Sequence, residues 1–240
     1  KKGKKVRFIY SWDDYDRFRK VPANIPKEYE KYLGMPISEV PDPWKCHDSY
    51  ARHFEDELEK SLPLVNVNPE FIRQSERYKK CEYKEGIRTA MNNKLKIISV
   101  LNKFRSEHLL DNWWPATVYC KKCRKDFTKI LSYDGKYKIE YECNCGNKET
   151  TDFSKEGNTK LKWRPDWCMR WNYEKVDFEP GGKDHFAAGG SYDTCKHIVK
   201  DVFNFDPPSY VIYEWIGIKG GKQFSSSEGI VITINQALEI

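Results

Sequence analysis

The sequence lacks any apolar run long enough to cross a bilayer. No window approaches the roughly 20 apolar residues a spanning helix needs, and 32% of the residues are charged. A secretory signal is missing too, since the chain opens on KKGKKVRFIY with no apolar core leading to a cleavage site. There is no large excess of one charge: 42 basic against 36 acidic residues leave +6, which permits an anionic partner such as RNA without demanding one. An initiator methionine is also absent, and the first residues look like the polar end of a helix, so the expectation is a segment cut from something longer. Without a signal, the eight cysteines do not imply disulfides; in a reducing cytosol, metal or chance is the better reading. What is present is 240 residues, enough for one large domain or one domain carrying an insertion.

The pattern along the chain is mixed α/β. KVRFIYSW predicts a strand that ends in Asp13 and Asp14. Acids beyond the carboxyl end of a strand either stand where open α/β sheets bind ligands or cap the next element of the chain. Residues 45–61 read as a helix, and NPEFIRQSERYKKC as a second. A third runs through residues 85–110, with Ile87, Met91, Leu95, Ile98, Leu101 and Phe104 on an apolar stripe that belongs to the core.

Residues 116–150 differ in character. Two short strand patterns flank Asp134-Gly135, a hairpin signal, with Cys120 and Cys123 at one end and Cys143 and Cys145 at the other. A hairpin brings the two pairs together, and four thiolates suit tetrahedral zinc. A module this small has little apolar surface to bury, so the metal supplies folding energy directly. Four thiolates leave no open coordination position, which makes the site structural. Asp42, Cys46, His47 and His53 form a second candidate cluster. Zinc accepts all three of its ligand types, but a histidine-bearing helix start with a buried Cys46 explains it equally well.

Beyond the hairpin, Trp163, Trp167 and Trp171 recur at intervals of four, a spacing that usually means packing. GGKDH and AAGGSYDT then lead into a helix from about 191 to 203. A Gly-rich turn carrying Asp184 and His185 before a helix is where α/β folds place groups for a ribose or substrate. SYVIYEWIGI predicts a strand that delivers the chain to IKGGKQFSSSEG. That loop is either a solvated connector or a mobile segment whose backbone N–H groups and hydroxyls close over phosphates.

Taken in order, SWDDYDRFRKVP, DWCMRWNYEKVDFEPGGKDH and GGKQFSSSEG resemble the catalytic domain of a class I lysyl-tRNA synthetase, over essentially all 240 residues. The resemblance implies a Rossmann-type catalytic core with an inserted zinc ribbon: core in 1–115, ribbon in 116–152, and core again in 153–240. It implies a cytoplasmic enzyme that converts lysine and ATP to lysyl-adenylate and pyrophosphate, then passes the lysyl group to tRNA(Lys). ATP is a substrate, with Mg2+, and the protein has no membrane partner. The serine loop is similar to the KMSKS signature, with Gln223, Phe224, Ser225, Ser226 and Ser227 at its five positions. Neither lysine of that pattern is present; Lys222 sits one residue early and Lys219 is nearby. Lys222, Ser225, Ser226 and Ser227 are the implied catalytic group. Trp163, His185 and Tyr213 resemble lysine-pocket residues, Asp184 resembles the acid that binds the adenosine ribose, and Asp13 and Asp14 are candidates for an ammonium partner. The family's HIGH motif would precede Lys1 and its anticodon-reading region would follow Ile240, so this segment alone is expected to be inactive. Two other readings stay open: a different adenylate-forming nucleotidyltransferase on the same core, or a non-catalytic RNA-binding module built on the ribbon.

Overall fold

A computed structural model describes residues 3–215 together with 217, 224, 232, 236 and 237. The chain divides into two compact units. One comprises Lys1–Tyr78, Cys123–Phe127 and Gly217–Ile240; the other comprises Lys79–Lys122 and Thr128–Ile216.

In the first unit, β1 (Ile9–Trp12) runs parallel to β2 (Glu70–Arg73), with Ile9 opposite Glu70 and Trp12 opposite Arg73. Parallel strands need a long crossover, and this one carries α1 (Tyr50–Ser61). Phe18, Ile25, Tyr29 and Val40 form a small core within it. Ser49 caps α1, its Oγ accepting the Arg52 N–H at 3.1 Å. The helix expected from residue 45 starts late because the Asp42 carboxylate takes the N–H groups of Trp44, Cys46 and His47. Those bonds hold the preceding residues in a loop, with Lys45 at a φ of 59°.

Two further expectations for this unit need correction. The opening strand is confined to Ile9–Trp12, and residues 4–8 form neither strand nor helix end. β2 supplies ladder partners only from Glu70 onward. The helix expected over residues 68–81 divides into β2 and a short α2 (Gln74–Lys79). Pairing with β1 claims the backbone of EFIR, which tertiary context takes from the helical pattern.

In the second unit, α3 (Lys84–Asn92) and α4 (Lys94–Asn102) replace the single long helix. The Asn92–Asn93 pair is a poor helix segment, and Asn93 leaves helical geometry with φ −104° and ψ 22°. The break rotates the stripe: Ile97, Ile98 and Leu101 are buried, whereas Leu95 is 59% and Phe104 38% exposed. β3 (Ala116–Val118) pairs antiparallel with a strand just after the hairpin module. The module is the antiparallel sheet β4 (Thr128–Tyr133), β5 (Lys138–Cys143) and β6 (Lys148–Asp152), whose core is Ile139, Tyr141 and Phe153. Gly135 occupies the β4–β5 turn with a φ of 77°, a backbone state that suits glycine.

The partner of β3 is β7 (Thr159–Leu161), and it leads straight into α5 (Trp163–Glu174). β8 (Gly181–Gly182), α6 (Lys183–Phe186), α7 (Ser191–Phe203) and β9 (Ile212–Tyr213) come after it. α5 packs on α7 across the fully buried Cys168 and Cys195, two small residues that permit close approach. β8 and β9 are parallel, with Gly182 opposite Tyr213. The strand expected over 209–218 is thus two residues long among the described positions. No described helix is long and apolar enough to cross a membrane.

Candidate functional site

The two cysteine pairs meet. The Sγ atoms of Cys120, Cys123, Cys143 and Cys145 all lie within 4.8 Å of one another. Cys120 and Cys145 Sγ are 3.8 Å apart, far beyond the roughly 2.05 Å of a disulfide. A tetrahedron with metal–sulfur bonds of about 2.3 Å has an edge of about 3.8 Å, so the spacing fits a metal. Each pair sits on a knuckle with a left-handed residue: Arg124 after Cys123, at φ 63°, and Gly146 after Cys145, at φ 82°. The Gly146 N–H donates to the Cys143 carbonyl at 2.9 Å, and the Asn147 side-chain amide approaches Cys120 Sγ at 3.5 Å. This donor set can hold one metal ion with no position left for a substrate.

Asp42, Cys46, His47 and His53 also converge within 4.8 Å. Nδ1 of both histidines lies 3.2 Å from Cys46 Sγ, and His53 Nδ1 is 3.5 Å from an Asp42 oxygen. The far side of His47 is held as well, since its Nε2 is 3.2 Å from Asp56 on α1. Such a carboxylate on the second ring nitrogen is how metal-ligating imidazoles are oriented. Trp44 stacks on His53 with centroids 4.2 Å apart. Burial alone would raise the Asp42 pKa, but bonds from the Trp44 N–H, the Cys46 thiol and N–H and the His47 N–H bring it down to about 2. The Asp42 carboxyl is therefore ionised, the form in which a carboxylate can bind a metal. Asp42 also shapes the loop, so one side chain both fixes the backbone here and offers a carboxylate oxygen to the cluster.

The strand-end acids take different positions. Asp13 is exposed. Asp14 is 3% exposed and accepts from both the Ser75 N–H, at 2.8 Å, and the Ser75 hydroxyl. It therefore caps a helix, but that helix is α2, far along the chain, and the bond ties together the carboxyl ends of β1 and β2. Burial raises its pKa to about 6, with the Ser75 bonds pulling the other way.

In the second unit, α5 places its tryptophans along one face. Trp163 stacks on Trp167 (5.2 Å, 18°), and Trp167 meets Trp171 at 4.8 Å. His185 on α6 comes to 6.4 Å from Trp163 and 5.9 Å from Trp167. Trp171 is buried while Trp163 and His185 are half-buried, so the row runs from core packing to an accessible end. Asp184 is exposed and Tyr213 is 57% exposed, on either side of Gly182. A Cβ there would meet Asp184 Oδ1 at 2.9 Å and Tyr213 Cε2 at 3.7 Å. A side chain at Gly182 would have to push the Asp184 carboxylate aside, while Tyr213 would stay in ordinary contact. A Cβ at Gly190 would lie 2.7 Å from two carbonyl oxygens, which explains the glycine at the start of α7.

Sequence reasoning missed one group. Glu179, in DFEPGG, receives the Trp167 indole N–H on Oε1 at 2.9 Å and the Trp171 indole N–H on Oε2. Its position directly before Pro-Gly-Gly and close after the tryptophan row was the available signal. Lys222, Ser225, Ser226 and Ser227 lie outside the described residues.

A family described as tRNA synthetases class I (K) matches residues 1–240. A lysine–tRNA ligase of Pyrococcus furiosus is 51% identical over 244 aligned residues, covering 100% of this chain and 46% of its own. One from Borreliella burgdorferi is 49% identical, covering 99% of this chain and 46% of its own. One from Methanocaldococcus jannaschii is 44% identical, covering 97% and 45%. The chain thus spans about half the length of the curated relatives it matches.

Proposed function

Because the chain belongs to the class I (K) tRNA synthetases, we propose that it is the lysine-activating part of a cytoplasmic lysine–tRNA ligase. The lysine carboxylate attacks the α-phosphorus of ATP, giving lysyl-adenylate and releasing pyrophosphate. A ribose hydroxyl at the 3′ end of tRNA(Lys) then attacks the acyl carbon and releases AMP. The observation that carries this reading is identity of about half along the whole segment to proteins named lysine–tRNA ligase.

The Trp163–His185 wall suits the aliphatic stem and ammonium of lysine, through apolar contact and cation–π attraction. Tyr213 lies beyond it, Asp184 receives the adenosine ribose, and Asp13 or Asp14 is a further partner for an ammonium. Lys222 and the serines at 225–227 would hold the triphosphate while charge develops on the departing pyrophosphate, and Mg2+, when bound with ATP, would supply further positive charge there. Preorganised donors of this kind are usually the largest catalytic contribution. The metal of both clusters is zinc, which accepts the thiolate, imidazole and carboxylate donors present. It holds the 116–152 ribbon and the loop before α1 in shape and takes no part in the reaction. The domain reading is catalytic core in 1–115 and 153–240 around that ribbon.

The test is ATP–pyrophosphate exchange by the full-length protein, followed by charging of tRNA(Lys). Exchange that requires lysine supports the reading. Exchange driven by another small molecule, with none for lysine, points to a different adenylate-forming enzyme.

A further inference from the structure

Resting on the reading of lysine as substrate, we infer that Glu179 recognises the side-chain ammonium of lysine and so sets amino-acid specificity. Each Glu179 oxygen accepts one indole N–H, from Trp167 and from Trp171. Its backbone is fixed as well, its N–H donating to the Ser209 carbonyl at 2.9 Å. A carboxylate offers about four lone-pair positions, and neutral indoles use two of them. No Lys or Arg among the described residues forms an ion pair with Glu179. The Arg170 guanidinium on the same helix as the two indoles lies 3.5 Å from Asp166 and over the Trp163 ring.

Glu179 is half-buried and, among the described residues, accepts side-chain hydrogen bonds from neutral donors only, so it has lone pairs free to take a cation. The partner it suits is a compact cation. Trp163 stacks on Trp167, one of the two indoles that grip Glu179, and His185 stands 5.9 Å from that same ring. Aromatic faces beside a fixed carboxylate are the combination that selects a primary ammonium on an apolar stem. A purely structural Glu179 would only satisfy two buried indole N–H groups, and the two roles make different predictions.

The experiment uses the full-length protein and measures exchange with lysine and with norleucine, which has the same stem without the terminal amine. Glu179→Gln removes the charge at nearly constant shape. The expected result is a rise of about 10²-fold in the KM for lysine, since deleting one partner of a buried charge pair costs on that order. The KM for ATP should stay level, and the preference for lysine over norleucine should collapse. Glu179→Asp, which keeps the charge one methylene back, should recover part of that preference; it also serves if the glutamine variant folds poorly. An unchanged lysine KM overturns the inference, as does an equal loss for lysine and norleucine, which would place Glu179 on the α-ammonium or in packing alone. If the unmodified protein shows no lysine-dependent exchange, the functional reading falls and the inference falls with it.

Discussion

Replacing Asp14 by Asn should stabilise the protein at neutral and alkaline pH, although it removes an acid from the candidate site. The carboxyl is 3% exposed, so solvent screens little of its environment. Burial raises its pKa from 3.8 to about 6, against the opposing pull of the two Ser75 bonds. The folded protein therefore binds this proton more tightly than the unfolded chain. The contribution is fully present below about pH 4 and is lost as pH rises through about 6. A rise of about two units is worth about 3 kcal/mol. Asn can accept the Ser75 N–H and donate to the Ser75 hydroxyl, so the link between the ends of β1 and β2 survives. The variant should exceed the natural protein in stability by about 3 kcal/mol at pH 8, by about half that at pH 5, and by little below pH 4. Urea unfolding of both proteins across this range measures the difference, and effects of pH on the cysteine and histidine clusters cancel because both proteins share them. A difference flat with pH, or a variant markedly weaker at pH 8, refutes the reasoning.

Metal analysis of the dialysed protein should find two zinc ions per chain. Cys143→Ser should lose one of them and His53→Ala the other, whereas a natural protein with a single ion would remove the Asp42–His53 centre. In Trp163→Ala the KM for lysine should rise with little change for ATP, reflecting about 1–2 kcal/mol of cation–π and apolar contact; an unchanged lysine KM returns Trp163 to packing. Replacing Ser225 and Ser227 together by Ala should slow exchange by about 10²-fold per donor lost while sparing transfer from preformed lysyl-adenylate. Equal exchange rates would leave the serines as a linker.

The legible parts of the fold were those encoded by local chemistry. CxxC and CxC around Asp134-Gly135 are sufficient to predict a hairpin with joined cysteines, because turn preference and ligand spacing both act over short distances. Asp42, Cys46, His47 and His53 were legible for the same reason, lying within one short segment. What stayed hidden depends on residues far apart in the chain. β2 reads as a helix until β1 claims its backbone, and the burial of Asp14 depends on Ser75. The break at Asn93 was visible in principle, but the apolar stripe runs across it and favours one long helix. Glu179 carries no motif; its meaning comes only from two indoles that converge on it.

The 3.8 Å between Cys120 and Cys145 Sγ also bears on how the protein ages in air. Coordinated to a metal, the thiolates have their lone pairs engaged and react slowly with oxidants. Once the metal is stripped, a movement of about 2 Å brings a pair to bonding distance, and peroxide can join them by taking two electrons and yielding water. The resulting disulfide is too short for the coordination tetrahedron, so the ion cannot return until a reductant cleaves it. Chelator and oxidant together should thus disorder the segment around these cysteines far faster than either one alone.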